Sequence, residues 1–576
     1  MPIPIAGPDE VRAGVVAGFE SLGLETVETP LEEVDPSRWA VVVGAASGRT
    51  LPEADGRLSG PWVGIELGGM GGRRVEDLPG VVAGFGSDGP CYRCLRARVA
   101  AADLSLEPAQ PGAIDDGIPG YAGAVAGWHL ADDPAVEDLV GRVVELGGPT
   151  RRLLPVPGCR CHDEVDRGDL RFTHRDRPLE VVVDAMERTL DARLGIITEV
   201  GERQSHPAPY YLAELAETEG FSSVSAASMA AGVDLDWTAA FARAMGESLE
   251  RYCAGSVRLD RLPEEPPGRQ IPLERFALAE GHTTPVGRWW PARTLDGERV
   301  ALPVEVVSFP TPSDASIPSI TTGLGLGSSP VEATLRGLLE VLERDACMLG
   351  WYSTYEPAEL VVDDERVHRW RRRLLGVGLT ASVRLVTQDV DVPVVTGIVH
   401  RRAADGSAVA DVPGVDPDDW PRFAVGSAAS LDPVVAAERA IAEATQNWME
   451  LEAMGPERAR SEGNIATFAE FPRAARTFLE ADHRLQAAHV AREPVPTGVD
   501  ALDDLAGRLD AAGMTAYVAR TTTPDVASLG LEAVRVVVPE AQPLIHGDGP
   551  VAERLREGPR ELGFRPRLDR GPHPYP

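Results

Sequence analysis

Two short stretches place the same chemistry-bearing residues at the same spacing. Met245–Cys253 reads MGESLERYC and Gly337–Cys347 reads GLLEVLERDAC. Each carries Glu-x-x-Glu-Arg with a cysteine close behind. Strong helix formers dominate and no glycine or proline interrupts Leu338–Met348, so both stretches are expected to be helical. On a helix, positions i and i+3 share a face. Glu247 then projects with Glu250, and Glu340 with Glu343, while Arg251 and Arg344 follow four residues after the first glutamate of each pair. Two such helices facing one cleft offer carboxylates, which suit Mg²⁺ bridged to phosphate, and guanidinium forks, which clamp phosphate oxygens. One Glu-x-x-Glu-Arg is ordinarily a solvated helix face with an i,i+4 ion pair. Its repetition points instead to a shared site. The glycine-rich Thr321–Ser329, TTGLGLGSS, leads into the second stretch. Its glycines let backbone approach a ligand closely, and a helix N-terminus attracts anions.

AAFARAMGESLERY, then TTGLGLGSSPVEATLRGLLEVLERDACMLGWY, then GSAASLDPVVAAERAIAEATQNW from Gly426 together resemble the YcaO superfamily, over roughly residues 175–576. The resemblance implies an ATP-binding α/β (α+β) fold with mixed and antiparallel sheets. It implies an azoline-forming cyclodehydratase of thiazole/oxazole-modified peptide biosynthesis, as in microcins and other bacteriocins. In such enzymes a Cys, Ser or Thr side chain of a ribosomally made precursor attacks the preceding carbonyl. ATP phosphorylates the amide-derived oxygen, and phosphate leaves to give a thiazoline or (methyl)oxazoline. Carried over residue by residue, Glu247, Glu250, Glu340 and Glu343 hold Mg²⁺, with Glu332 as an added or supporting ligand. Arg251, Arg344 and Arg439 meet phosphate, and Ser328, Glu443 and Gln446 complete the ATP site. The ending Pro572-His573-Pro574-Tyr575-Pro576 resembles the tail of azoline-forming members, which sets Pro576 beside Arg251 and Arg344 in the catalytic group. Two departures stand out. Arg243 occupies a position where many members carry a small polar residue, and the family's upstream lysine has no counterpart.

Four of the six cysteines fall in two close pairs, Cys91-x-x-Cys94 and Cys159-x-Cys161. Such knuckles suit a structural tetrathiolate Zn²⁺; a redox CxxC and unrelated buried thiols are the rival readings. GPCYRCLRARV and LPVPGCRCHDE resemble the zinc-bearing, E1-like (ocin-ThiF-like) domain that accompanies cyclodehydratases, over about residues 60–165. Cys253 and Cys347 are expected to be apolar packing residues. The expected organisation is a zinc-binding α/β domain over 1–165, a linker over 166–178 and the YcaO domain over 179–576. The family's fuller version adds a winged-helix peptide clamp for which this length leaves no room. A separate leader-binding protein is therefore expected as a partner, with a flavin dehydrogenase as an optional one, and the chain is expected to be a homodimer.

The formal net charge is -33, and the 56 basic residues are all arginine, since the sequence contains no lysine. A dispersed acidic surface argues against nucleic-acid binding and fits a high-salt cytoplasm, where screening makes self-repulsion tolerable; a halophilic archaeal source is expected. The missing lysine excludes Walker A, Schiff-base and kinase-type lysine chemistry. No run of about 18 apolar residues exists and no signal-peptide pattern opens the chain, so no membrane span and a cytoplasmic location are expected. The rival functions are peptide thioamide synthesis, a non-catalytic peptide-binding scaffold, and a two-carboxylate hydrolase. The last leaves the arginines and the glycine-rich loop unexplained. Among the elements, Val11–Leu22 and Leu179–Leu194 read as helices, and Trp62–Leu67, Ala381–Val386 and Val392–His400 as strands.

Overall fold

Runs of valine and isoleucine set the strands. The computed structural model describes residues 2–86, 89–131, 138–161, 167–277, 286–312, 317, 319–401, 420–462, 469, 481–545 and 549–575. Its N-terminal part is a seven-stranded sheet in the order β2-β1-β3-β4-β5-β6-β7. The strands are β1 (Ile3–Ala6), β2 (Thr26–Glu28), β3 (Val41–Ala45), β4 (Trp62–Leu67), β5 (Gly80–Phe85), β6 (Arg142–Glu145) and β7 (Thr150–Arg152). β1 to β4 run parallel and β5 to β7 add antiparallel. β4 and β5 are buried at every position, as a sheet covered on both faces requires. α1 (Asp9–Glu20) and α4 (Gly117–Ala131) cover one face; α2 (Thr50–Arg57) and α3 (Tyr92–Ala102) cover the other. Glycines let α1 and α4 touch backbone to backbone: a Cβ on Gly123 would sit 2.2 Å from the Val15 carbonyl oxygen. After β4, the Gly71 and Gly72 amides donate to Glu66 at 2.8 and 2.7 Å, so this loop's donors serve the chain's own carboxylate.

Residues 167–178 carry neither helix nor strand. Beyond them α5 (Leu179–Glu187) stops well short of the expected Leu194. Asp191 takes the Arg193 and Leu194 amides at 2.8 and 2.9 Å, and this side-chain turn competes with a continued helix. An antiparallel sheet of order β10-β9-β8 follows, from β8 (Ile197–Gln204), β9 (Tyr210–Leu215) and β10 (Met229–Val233).

Two larger sheets complete the chain. One has the order β11-β13-β12-β20-β21-β14, from β11 (Arg269–Gln270), β12 (Trp289–Thr294), β13 (Arg299–Pro303), β14 (Leu324–Gly327), β20 (Tyr517–Arg520) and β21 (Glu532–Val537). The other has the order β18-β17-β16-β15-β19, from β15 (Ala358–Val361), β16 (Leu379–Leu385), β17 (Val394–Arg401), β18 (Phe423–Ala429) and β19 (Arg484–Gln486). Both are mostly antiparallel, with one parallel pairing each.

Three long helices lie among these sheets: α6 (Trp237–Gly255), α7 (Pro330–Trp351) and α9 (Pro433–Glu462), with α8 (Glu365–Leu375) behind the last sheet. Asp236 caps α6 by accepting from the Ala239 amide at 3.0 Å. Ser329 caps α7 and proline fills the first helical position, an arrangement that leaves no helix donor wasted. α7 packs between β14–β21 on one side and β17–β18 on the other. α9 lies along β17 and β18 and breaks at Gly455, just before Pro456. Among the described residues no helix is long and apolar enough to cross a membrane.

Candidate functional site

α6, α7 and α9 turn charged side chains into one cavity of about 1300 Å³. Glu247, Glu250 and Arg251 come from α6, Arg336, Glu340 and Arg344 from α7, and Arg439, Glu443 and Gln446 from α9. The two Glu-x-x-Glu-Arg helices do share a cleft, and a third helix closes it.

The side chains form two charged walls. Arg344 sits among carboxylates: its Nε is 3.9 Å from Glu340 and 3.7 Å from Glu343, and an Nη is 3.6 Å from Glu443. Ser427 on β18 ties two of these together, donating its hydroxyl to Glu343 at 2.6 Å and its amide to Glu443. Burial, then repulsion from Glu247, pushes Glu250 up to about 7. Burial, then repulsion from Glu250 and Glu343, pushes Glu340 up to about 8 although Arg344 opposes it. Glu443 rises to about 7, chiefly through burial, with Glu343 adding to it. This wall is short of positive charge. On the other wall Arg439 is pushed down to about 10 by burial and by repulsion from Arg336 and Arg243. That wall is short of negative charge. A cation held at one end of a polyanion answers both deficits, and carboxylates facing arginines are the donor set that Mg²⁺ and phosphates require.

Not every expected residue lines this cavity. Glu343 is turned away, 8% exposed, accepting also from the Ala429 amide at 3.2 Å. Ser328 and Glu332 are engaged with each other at the start of α7. The Ser328 amide and hydroxyl donate to Glu332 at 2.9 and 2.7 Å, and Arg336 donates to it at 2.6 Å. Burial opposes ionisation of Glu332, but Arg336 and Ser328 outweigh it and hold the carboxyl below its ordinary value. Arg251 is ion-paired with Glu247 and donates to the Met229 carbonyl at 2.8 Å, fastening α6 to β10. Gln446 donates to Glu450 at 3.2 Å, and Tyr210 donates to the same oxygen at 3.2 Å.

Pro576 lies outside the described residues, but its neighbour does not. Tyr575 is 2% exposed, with its hydroxyl 3.0 Å from that of Thr396 on β17. The buried Cys347 thiol, one turn along α7 from Glu343, is its neighbour. Trp351 donates to the Gly571 carbonyl at 3.0 Å, and Arg570 stacks over its ring at 3.6 Å.

Arg336, Glu450 and Arg535 are among the charged groups that escaped the sequence reading. Arg336 was legible, since it stands four residues before Glu340 on a face already identified. Glu450 stands four after Gln446 in the same way. Arg535 left a fainter signal, a lone charge in the apolar run AVRVVV. It reaches from β21 toward Glu340 and Glu250, which offset the burial that pushes it down to about 10.

The cysteine pairs meet as expected. Cys91 and Cys159 sulfurs are 3.5 Å apart, Cys94 and Cys161 3.5 Å, and all four lie within 4.8 Å of one another. None is in a disulfide. Zn–S bonds of about 2.3 Å in a tetrahedron place sulfurs about 3.8 Å apart, so this donor set fits Zn²⁺. The Val156 amide donates to Cys94 at 3.4 Å, as a supporting ligand contact should.

A family model described as YcaO cyclodehydratase, ATP- and Mg²⁺-binding, matches residues 231–542. The chain belongs to the YcaO family. The matched residues contain all three helices of the cavity, and as a YcaO member the chain is an ATP-dependent cyclodehydratase with an ATP- and Mg²⁺-binding domain. Among solved structures, it resembles a heterocyclase in complex with substrate and cofactor at 17% identity and a TM-score of 0.71, covering 100% of this chain and 84% of that one. The heterocyclase TruD matches at 19% identity and a TM-score of 0.64, covering 98% and 82%. YcaO from Methanopyrus kandleri, bound with AMPPCP and Mg²⁺, matches at 24% identity and a TM-score of 0.50, covering 65% and 93%. At these identities the likeness is one of fold. A search of curated proteins returns no match.

Proposed function

We propose that this YcaO enzyme uses ATP and Mg²⁺ to convert Cys, Ser or Thr residues of a ribosomally made precursor peptide into thiazolines or (methyl)oxazolines. The observation that carries this reading is the segregation of charge in the cavity, with under-neutralised carboxylates facing crowded arginines. Glu247, Glu250, Glu340 and Glu443 would hold Mg²⁺, and bound Mg²⁺ would neutralise charge on the transferred phosphoryl group. Arg439, with Arg336 and Arg243, binds phosphate oxygens. Arg344 and Arg251 stand among the carboxylates and meet phosphate from the metal side, and Glu343 fixes Arg344 and Ser427 from behind. Glu332 and Ser328 act by ordering the start of α7.

In the reaction, the substrate side chain forms a bond to the preceding carbonyl carbon and gives up its proton. The former carbonyl oxygen takes a phosphoryl group from ATP and leaves as phosphate while the amide nitrogen, losing its proton, forms the C=N bond. The ending Pro572–Pro576 is given a part in ring formation, with Pro576 as a catalytic residue, because it resembles the tail of azoline-forming members, and its neighbour Tyr575 is held in a buried seat against Thr396.

The same proposal divides the chain into a zinc-binding E1-like domain over 1–165, a linker over 166–178 and the YcaO domain over 179–576, with Zn²⁺ held by Cys91, Cys94, Cys159 and Cys161. It places the enzyme in a salt-rich cytoplasm, as a homodimer, working with a leader-binding protein and, where rings are oxidised, a flavin dehydrogenase.

The test is mass spectrometry of Cys-, Ser- and Thr-containing precursor peptides incubated with enzyme. Loss of one water per ring is expected only with ATP and Mg²⁺ together. Ring formation that persists without ATP, or ATP consumption that yields a thioamide instead, would overturn it.

A further inference from the structure

α7 has a second charged face. Asp345 points away from the cavity and is 2% exposed. It is met by Arg554, on the helix Glu553–Glu561. Arg554 donates Nε to one Asp345 oxygen and an Nη to the other, both at 2.7 Å. The outer edge of the same guanidinium donates to the two Asp389 oxygens at 2.7 and 3.1 Å. Asp389 lies in the connection between β16 and β17, and the Gln542 amide adds a hydrogen bond to Asp345 at 2.8 Å. One planar cation thus closes two bidentate forks, a geometry that an ammonium cannot reproduce.

The chain beyond this helix runs back along the end of α7. The Thr354 amide donates to the Arg565 carbonyl at 2.9 Å and the Arg567 amide to the Tyr352 carbonyl at 2.7 Å. Phe564 meets the Tyr355 ring edge-on, with centroids 5.2 Å apart. The segment arrives at Tyr575, buried against Thr396. Arg554 itself does not line the cavity.

We propose that Arg554 is a positioning residue for ring formation. Clamped between Asp345 and Asp389, it sets the register in which residues 562–575 pass α7, and so where Tyr575 meets Thr396, one strand from Ser427. The inference rests on the reading that the C-terminal segment serves ring formation. It separates two functions of one helix: the cavity face of α7 serves the nucleotide, and the Asp345 face seats the segment that serves the peptide.

The experiment compares Arg554→Gln, Arg554→Lys and Asp389→Asn with the unaltered full chain. Three readouts are taken: affinity for AMPPCP–Mg²⁺, trypsin cleavage after Arg567 and Arg570, and kcat and KM for ATP during ring formation on a Cys-containing precursor peptide. In Arg554→Gln, nucleotide affinity and KM should stay within about twofold, cleavage should quicken about tenfold or more, and kcat should fall by about tenfold or more. Arg554→Lys should be intermediate, because it keeps the charge and loses the forks. Asp389→Asn, which removes only the outer fork, should move cleavage and kcat the same way by less. Unchanged cleavage and kcat overturn the proposal. So does nucleotide affinity that falls in step with kcat, which would make Arg554 a general support of α7; Asp389→Asn decides if Arg554→Gln fails to fold. If the unaltered enzyme forms no ring on any peptide, the function reading fails while cleavage and nucleotide affinity still decide the clamp.

Discussion

Glu343 shows how far a residue's type and spacing can be read before its surroundings are known. Helical spacing puts it with Glu340, and it does reach the same arginine, but from behind the cavity wall. Its oxygens take the Ser427 hydroxyl and the Ala429 amide, so it joins α7 to β18 and fixes Arg344 at once. Glu343→Gln keeps the shape and loses the charge that holds Arg344. A fall of about 100-fold in ATP-dependent phosphate release is expected, with the circular dichroism spectrum unchanged; turnover near the unaltered rate would remove Glu343 from the site. The other carboxylates make the site pH-sensitive. Glu250, Glu340 and Glu443 are raised from an ordinary 4.5 to about 7, 8 and 7. A carboxyl whose folded pKa lies above its unfolded value contributes stability that is complete below the unfolded pKa and is lost as pH rises through the folded one. Without ligand, the melting temperature should therefore fall between about pH 4.5 and 8 on account of these groups. Mg²⁺ with nucleotide takes the place of the protons, so the stabilisation by AMPPCP–Mg²⁺ should widen from pH 6 to pH 8. Thermal unfolding at both values decides it, and a gap that narrows with rising pH would count against these carboxylates as the metal wall.

At the scale of elements, α6 and α7 were legible because a helix is local. Period, formers and a capping serine all lie within a few residues of the glutamates they position. Ser329 caps α7 and Glu332, three residues on, reaches back to Ser328, which is the logic of a capping box. The resemblance carries Ser328 over to the ATP site and Glu332 over as an added or supporting Mg²⁺ ligand. In the structure the two are hydrogen-bonded to each other where α7 begins. α5 was drawn too long for a related reason, since Asp191 offers the backbone an alternative that helix periodicity does not register. The rest of the wall was only faintly legible. Ser427 and Arg535 come from β18 and β21, and only sheet pairing over long separations brings them to α7. If the cap is what Ser329 is for, Ser329→Ala should destabilise the protein by about 1 kcal/mol, read from the denaturant midpoint, and lower activity only modestly at saturating ATP. An abrupt loss of nucleotide binding with unchanged stability would give Ser329 a ligand contact in place of the cap.

Over the whole molecule, two kinds of electrostatics coexist. The dispersed excess of carboxylates, formally -33, repels itself across the surface. Screening lengths fall from about 10 Å at 0.1 M salt to about 3 Å at 1 M, so the melting temperature should rise steadily with KCl from 0.1 to 2 M, and a flat or falling curve would deny a high-salt adaptation. The buried pairs behave otherwise. Arg98 on α3 and Asp525 are both fully buried, 427 positions apart, and ion-paired. Tyr252 on α6, two residues after Glu250, donates its hydroxyl to the same carboxylate at 2.6 Å, and Arg98 donates to the Pro155 carbonyl at 2.7 Å. Both the N-terminal sheet's helix and the loop carrying the second cysteine pair are therefore fastened to the helix that lines the cavity. Nothing local in the sequence marks Arg98 or Asp525, since each is one charge in an ordinary stretch. Salt cannot reach such a pair, and removing one partner leaves the other buried and uncompensated, which costs about 3–5 kcal/mol. Asp525→Asn should accordingly lower the melting temperature at every salt concentration while leaving the slope against KCl unchanged. It should also weaken AMPPCP–Mg²⁺ binding, because Tyr252 loses its charged acceptor two residues from Glu250. A variant whose deficit vanishes at 2 M KCl would show that the pair is wet, and that the two halves of the chain are joined in some other way.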